Sequence, residues 1–579
     1  MLAGSNALTR IVLITILGVV IGALSSLSAI LFVYLVGVLN DWLLISPRSR
    51  IMVDNAQWLL VATLCVPALG GLVVGILHLC IPERRPHGPP DIVRSVQGMG
   101  GEIPLRSGLL TALSSVVSLG AGASVGQYGP LAHLGATLGS TIARVSKDNQ
   151  WMKTVGVGCG VAAAISTAFN APIAGIVFAH EVVLRHYSLR AFAPITVAST
   201  IGYVVANVVF ERRPLFHVEP VSVAYAPEFV GFILIGIGGA FVAVFYMRAI
   251  LYSNTLAGKI AIAPYLKPML AGAILGCVAI WLPDILGIGR ETLRFAIIEQ
   301  AFMPGELTLL LLAKILATAL CIGFGFAGGV FSPALLIGIL FGALAGNGAE
   351  LLLGELRSDI VIYAICGMVA VTSAVIGAPL TTILIVFELT RNYDLATAAM
   401  VSVVFSNLIS YRVFGRSLFD VQLRARGFDL SLGRDKVILD NRLIESYVSQ
   451  DYTALDPGMS LTQAKSELLK DKTCEGYVLD TNGVYVGMIR LGEIVDRESN
   501  GLASETSVGE VAEREPLIFT ATTTVWAAME EMGDFVGESI PVIRDDDDPR
   551  LLGVVFEAAV VRAYLETLYD IRREENAAT

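Results

Sequence analysis

Two glycine-rich runs carry the residues whose types and spacing point most directly to chemistry. The first is Gly122-Ala123-Ser124-Val125-Gly126-Gln127-Tyr128-Gly129-Pro130; the second is Gly325-Phe326-Ala327-Gly328-Gly329-Val330-Phe331-Ser332-Pro333. In each, the proline suits the first turn of a helix, where a missing N–H costs nothing. The remaining first-turn N–H groups, with the positive end of the helix dipole, form an anion site that needs no net charge. Two such runs facing each other are expected to hold a small dehydrated anion between positive helix ends. Helix-packing turns would use the same glycines, and it is the repetition that favours the anion.

Two carboxylates follow the same duplication. Glu181 and Glu388 lie in apolar stretches, where a charge is costly, nine positions after the prolines of Ala171-Pro172 and Ala378-Pro379. Gly160, Ser166, Pro172 and Glu181 recur at an offset of 207 as Gly367, Ser373, Pro379 and Glu388. Upstream, Gly126, Pro130 and Gly139 recur at an offset of 203 as Gly329, Pro333 and Gly342. This placement predicts that the glutamates bind backbone groups at half-helix ends rather than carry ions. His133 and His180, alone in apolar stretches, are expected to be satisfied interior groups.

The elements that position these residues belong in lipid. Of 579 residues, 55% are hydrophobic and 16% charged, and the mean hydropathy is +0.70; a soluble domain averages about 25% charged. Apolar stretches at 11–44, 57–81, 190–210, 228–252 and 333–353 are long enough to cross a bilayer, which takes about 20 residues. Others, at 109–119, 156–168, 172–184, 361–376 and 379–389, are short and punctuated by Gly and Pro. Broken helices at membrane depth are tolerated where they are packed in protein or line a wet cavity. The run from Ile11 is read as a retained first membrane helix, being too long for a signal peptide.

Charge separates a tail from this body. Residues 1–420 hold 24 Lys+Arg and 20 Asp+Glu, net +4, whereas 421–579 hold 16 and 30, net −14. An acidic tail argues against nucleic acid as a partner. Within it, 477–479 and 484–489 flank a turn at Thr481-Asn482-Gly483, and 541–543 and 551–555 flank the acidic loop 545–548, two hairpin patterns. Each follows an amphipathic stretch, 461–469 and 525–532, which predicts two small α/β modules closing on each other. The seven cysteines, at 65, 80, 159, 277, 321, 366 and 474, show no CxxC spacing, so inert thiols are expected. No nucleophile, metal cluster or phosphate loop supports an enzyme, and no cofactor is expected.

As a set, these motifs resemble the chloride channel and transporter (CLC) family. Gly329-Val330-Phe331-Ser332-Pro333 matches its GGxFxP motif and Gly126-Gln127-Tyr128-Gly129-Pro130 resembles GxEGP. Phe169-Asn170-Ala171-Pro172-Ile173-Ala174-Gly175 matches FNAP[LI]AG, and Phe387-Glu388-Leu389-Thr390 matches [FL]E[ML]T. Pro86-His87-Gly88-Pro89-Pro90 stands where the family has GSGIP; a rival placement on 98–104 would bring that loop too close to Tyr128. The tail resembles a pair of CBS domains. The resemblance implies an all-α polytopic unit over 1–425, from two inverted repeats (about 10–211 and 225–425), and a homodimer with one pathway per subunit. A linker at 426–445, CBS-like modules at 446–500 and 501–570 and a tail at 571–579 complete the expected layout.

The resemblance also implies an anion site formed by His87, Gly88, Gly126, Gln127, Tyr128, Gly129, Gly329, Val330, Phe331 and Phe419. Departures from the family pattern shape the expected function. Tyr128 stands where members have a gating glutamate, and Val182 where proton-coupled members have an inner glutamate. His87 and Phe419 replace the two hydroxyls of the central site. The expectation is passive, proton-uncoupled permeation of chloride or a similar small anion with Tyr128 as gate. Antiport with protons through a group such as His87, and a transport-silent sensor acting through the tail, are the alternatives. In the tail, Arg490, Glu493, Phe556 and Ala559 stand where nucleotide-binding CBS pairs have hydroxyl and Asp residues, so interaction or dimer stabilisation is expected there. A bacterial inner membrane, with lipid around the body and the tail in the cytoplasm, is the expected location.

Overall fold

A computed structural model describes residues 6–53, 55–144, 150–210, 221–223, 227–298, 301–353, 358–499, 505–513, 517–535 and 537–576. The chain divides into two compact units, Met1–Phe428 and Asp429–Thr579.

The described part of the first unit is helical. α1 (Asn6–Trp42) and the short α2 (Pro47–Ile51) precede α3 (Ala56–Leu79). Shorter pieces follow: α4 (Pro89–Gly98), α5 (Leu105–Gly120), α6 (Tyr128–Ala143), α7 (Gln150–Phe169) and α8 (Pro172–Phe178). A π-helical turn continues α8 to Leu184, and α9 (Leu189–Val204) ends the first half. The second half has α10 (Glu228–Lys259), α11 (Lys267–Ala279), α12 (Arg290–Phe295) and α13 (Pro304–Gly323). It closes with α14 (Phe331–Leu353), α15 (Ile360–Ile376), α16 (Pro379–Thr390), α17 (Tyr393–Phe414) and α18 (Leu418–Arg424). Proline occupies the first turn of α4, α8, α13 and α16, where its fixed φ starts a helix.

Among the described residues, eight helical spans are long and apolar enough to cross a bilayer. Three differ from the sequence expectation. α7 runs 20 residues, beginning ahead of the short stretch expected at 156–168, and α13 and α17 were not among the expected long spans. Polar residues hid them, and each is answered internally. Lys314 Nζ donates to the carbonyls of Ile285 (3.0 Å) and Gly287 (2.7 Å), while Ser402 and Ser406 donate to those of Phe232 and Ala370.

Glycines set the helix crossings, and they do so equivalently in both halves. A Cβ on Gly160 would lie 1.9 Å from the Gly135 carbonyl oxygen, and one on Gly367 2.5 Å from that of Gly338. α6 and α7, like α14 and α15, therefore touch backbone to backbone.

In the second unit, β1 (Thr453–Leu455) lies parallel to β2 (Glu475–Leu479), which pairs antiparallel with β3 (Tyr485–Arg490). β4 (Phe519–Thr520), β5 (Ser539–Ile543) and β6 (Leu551–Phe556) repeat this topology. α19 (Arg434–Asp440), α20 (Leu461–Asp471), α21 (Leu491–Ser499), α22 (Val508–Val511), α23 (Val525–Glu531) and α24 (Glu557–Asn576) surround the sheets. The stretch 426–445, expected as a linker, is folded: Leu439 and Ile444 are buried in the core of the second module. Its apolar side chains find Phe519, Val525 and Ile540 there, and the Ile444 N–H donates to the Thr523 carbonyl.

Candidate functional site

The two glycine-rich runs meet. Gly126 and Gly329 form an antiparallel bridge, each N–H donating to the other's carbonyl at 2.7 Å. A Cβ on Gly126 would lie 2.7 Å from the Gly329 oxygen, so only glycine allows the approach. Side chains from opposite halves complete the joint. The Gln127 N–H donates to Ser332 Oγ (3.2 Å), and the Ala327 N–H to Ser118 Oγ (3.0 Å). The amides of Gly126, Gln127 and Gly329 are thus committed to protein acceptors. Those of Gly129, Val330 and Phe331 stand at the starts of α6 and α14, where no intrahelical acceptor exists.

Beside this joint is a small cavity of about 10 Å3, room for about one water-sized particle, lined by Tyr128, Gly129, Gly329, Val330, Phe331 and Phe419 together with Pro89, Ile165 and Phe178. Tyr128 is 2% exposed. Its ring stacks on Phe169 with centroids 3.9 Å apart and meets Phe331 edge to face at 5.4 Å. Aromatic contacts of this kind hold a ring in one place, each contributing about 0.5–1.5 kcal/mol beyond burial.

His87 and Gly88 fall outside the cavity lining, which takes Pro89 instead. The His87 ring packs edge to face against His133 at 5.5 Å, with Nε2 3.5 Å from Glu83. Gly88 caps α4, its N–H donating to Asp91 (2.8 Å). Asp91 also receives Arg85 (2.7 Å) and Arg426 (2.9 Å), so the start of α4 is tied to the residues just after α18. α18 carries Phe419 to the cavity and is anchored by Ser417 Oγ at its N-cap and by an Arg185–Asp420 pair at 2.6 Å. His180 is satisfied at one nitrogen, Nδ1 lying 2.9 Å from the His186 carbonyl oxygen, while its Nε2 has no hydrogen-bond partner among the described residues. Contrary to expectation, His133 Nδ1 has no partner among them either. Each ring is also packed by another ring, His87 against His133 and Tyr187 against His180.

The repeat-related glutamates act across the halves. Glu388 accepts from the N–H groups of Ile173 (2.9 Å) and Ala174 (2.7 Å) at the start of α8. Glu181 accepts from those of Leu380 (3.0 Å) and Thr381 (2.8 Å) at the start of α16. First-turn amides that would otherwise be orphaned gain charge-assisted bonds. Val182, beside Glu181 on the π-helical turn, is buried and apolar.

Sequence reasoning passed over Pro89, Ile165, Phe169 and Phe178 as parts of the site. Phe169 stands in a recognised motif, but Ile165 and Phe178 look like any core residue. It also passed over Arg290, whose Nη2 donates to Gln127 Oε1 at 2.9 Å. Nothing local ties position 290 to 127.

In the tail, Arg490 is ringed by Glu493 (3.4 Å), Glu513 (3.5 Å) and Glu475 (3.7 Å). Glu475 is buried and accepts from the N–H groups of Glu538 (3.1 Å) and Ser539 (3.0 Å), joining the modules. Tyr477 Oη and Ser539 Oγ are 2.6 Å apart at the same junction, and burial pushes the Tyr477 phenol up from its ordinary value.

Duplicated broken helices, with helix starts meeting at an enclosed cavity, define a polytopic membrane protein built to pass a small solute through its core. Residues 69–411 match the family described as voltage gated chloride channel, and 444–500 and 508–566 each match the CBS domain. The chain belongs to the voltage-gated chloride channel (CLC) family of channels and antiporters and carries a C-terminal CBS pair. It is 28% identical to a ClcB-like chloride channel protein of Ralstonia nicotianae, over 66% of this chain and 90% of that one. It is 26% identical to the voltage-gated ClC-type chloride channel ClcB of Escherichia coli O81, over 66% and 92%. Among solved structures, a slow cyanobacterial Cl−/H+ antiporter shares the fold of the membrane unit (TM-score 0.65, 21% identity, 71% of this chain and 97% of that one). A eukaryotic CLC transporter aligns over 96% of this chain and 99% of its own (TM-score 0.63, 18% identity).

Proposed function

We propose that the membrane unit lets chloride or a similar small anion permeate passively, uncoupled from protons, with Tyr128 as the gate. The observation that carries this is the Tyr128 ring, held between Phe169 and Phe331 at the wall of the cavity. A phenol is neutral at physiological pH, so it neither competes with the anion by charge nor takes up a proton as a carboxylate does. Val182 supplies no inner proton group, and the neighbouring Glu181 is spent on α16. The amides of Gly129, Val330 and Phe331 meet the anion, Gly329 and Phe419 wall it, and His87, Gly88, Gly126 and Gln127 hold the frame. Two such chains form a homodimer with one pathway each, in a bacterial inner membrane with the tail in the cytoplasm. The tail's carboxylate-ringed Arg490 favours an interaction or dimer-stabilising role over nucleotide sensing.

One observation favours antiport instead: the unpartnered His133 Nδ1 sits in a ring packed against His87, a contiguous pair of titratable groups. A flux assay on the purified full-length protein in liposomes, reading anion and proton together, separates the two. Anion movement without uphill proton movement is expected. Proton pumping at a fixed ratio to the anion selects the antiporter.

A further inference from the structure

A second cavity, about 500 Å3 against about 10 Å3 beside Tyr128, lies between the end of α1, α2 and the segment 283–292. Its charged walls are Arg50, Arg290, Asp41, Asp284 and Glu291. Apart from Arg290, each has a local partner, a neutral hydroxyl for Asp41, Asp284 and Arg50. Asp41 accepts from Ser46 Oγ (2.6 Å) and Asp284 from Thr292 Oγ1 (3.0 Å). Arg50 donates to Thr63 Oγ1 (2.6 Å) and feels the charge of Asp284, and Glu291 lies 4.0 Å from Arg294. Arg290 differs. Its only partner among the described residues is the neutral amide oxygen of Gln127. A guanidinium offers five N–H donors, so most of its capacity is unshared at the wall of this cavity.

The position of Arg290 is built into the fold. It follows Gly289, whose left-handed φ of 72° suits glycine. The segment before it is pinned by the 1% exposed Lys314 through the Ile285 and Gly287 carbonyls. The Gly287 N–H donates to the Gly122 carbonyl (2.8 Å) in the first glycine-rich run. Arg290 is therefore fixed to both halves and hydrogen-bonded to the residue that precedes the gate.

We propose that Arg290 is an anion-collecting subsite: chloride binds its unshared N–H groups in the large cavity, one residue from Tyr128, before passing the gate. A planar, permanently charged fork already oriented by Gln127 suits this role. The subsite rests on the reading of Tyr128 as the gate of an anion pathway. Its test is the chloride dependence of flux by full-length protein in liposomes, for the parent and for R290A, R290K, R290E and Tyr128→Ala. The half-saturating chloride concentration should rise about threefold in R290A, as expected for a partly screened charge. It should rise further in R290E, with a smaller change in maximal rate. R290K, which keeps the charge but loses the fork oriented by Gln127, should recover only part of the loss, and added impermeant salt should narrow the differences. Unchanged half-saturation in R290A and R290E, with Tyr128→Ala still altering the rate, overturns the subsite and leaves the gate standing. If every protein is silent, the permeation reading falls, and anomalous scattering from bromide-soaked crystals decides the subsite. A bromide beside Arg290 that R290A loses upholds it, and no bromide there in the parent overturns it.

Discussion

Glu181 binds the first turn of α16 and Glu388 the first turn of α8, and the backbone N–H donors of the two contacts match at an offset of 207 residues, Glu181 gaining in addition the Thr381 hydroxyl at 2.6 Å. At the meeting helix starts, the offset of 203 that maps Gly126 onto Gly329 also maps Tyr128 onto Phe331 and Gln127 onto Val330. Here the halves no longer agree: one presents a phenol and an amide tied to Arg290, the other two apolar side chains. Contacts that close a half-buried joint between apolar helices leave little freedom, because a carboxylate without its donors, or amides without an acceptor, would lose charge-assisted bonds that nothing nearby replaces. The cavity wall itself is built from rings and apolar groups, and there the copies have diverged.

The largest effect should come from breaking the shared part. Glu181→Ala and Glu388→Ala each leave two first-turn amides without acceptors and should each destabilise the protein by about 2 kcal/mol. Thermal unfolding of the full-length protein in detergent measures both, and similar losses sharpen the equivalence. A variant that melts like the parent would show that one of the two contacts is dispensable.

The divergent part should respond in rate rather than stability. Tyr128→Ala removes the ring while keeping the amides of the α6 start, and flux should rise about fivefold, roughly 1 kcal/mol in the barrier. Tyr128→Glu should be slow at neutral pH and faster in acid, as its carboxylate is neutralised, without gaining proton coupling. The parent should change little between pH 5 and 8 unless His87 titrates there. Matching rates and pH profiles in all three would remove Tyr128 from the pathway.

A smaller effect is expected in the tail. Burial raises the phenols of Tyr477 and Tyr485 above the ordinary value near 10. Their neutral form is favoured when folded, so their contribution is present below about pH 10 and lost as pH rises past it. The full-length protein should therefore lose stability from pH 9 to 11 more steeply than its Tyr477→Phe/Tyr485→Phe variant. Equal slopes would mean that neither phenol is protected. The smallest expected effect is that of millimolar ATP on melting, a shift of less than about a degree. A ligand at 100 times its Kd would contribute about 2.7 kcal/mol, so a shift of several degrees would show the pocket around Arg490 to be functional.

Much of this was legible in the sequence, for physical reasons. Half-helices announce themselves by Pro at the first turn and Gly at the crossings, and both recur at fixed offsets. The tail hairpins follow from alternating apolar residues around Thr481-Asn482-Gly483, where Gly483 takes a positive φ of 77°. What stayed hidden was polar content inside apolar elements. Lys314, Ser402 and Ser406 lower the hydropathy of α13 and α17 by their polarity, and the partners that satisfy them lie at least 27 residues away, out of reach of a local reading. The same distance effect concealed Arg290 behind Gln127, 163 residues apart, and folded Leu439 and Ile444 into a module that begins downstream of them. The commitment of the Gly126, Gln127 and Gly329 amides to one another's segments could be learned only from their approach in space.

The exchange of glutamates between halves also makes each half depend on the other. Glu181 finds its donors 199 and 200 residues further along, so a half made alone would hold a stranded carboxylate and a short helix with bare amides. Pairing with a like copy, each lending its glutamate to the other, would meet both needs at once. Within the single chain, the joint between α8 and α16 does the work that a subunit interface would do between two separate halves.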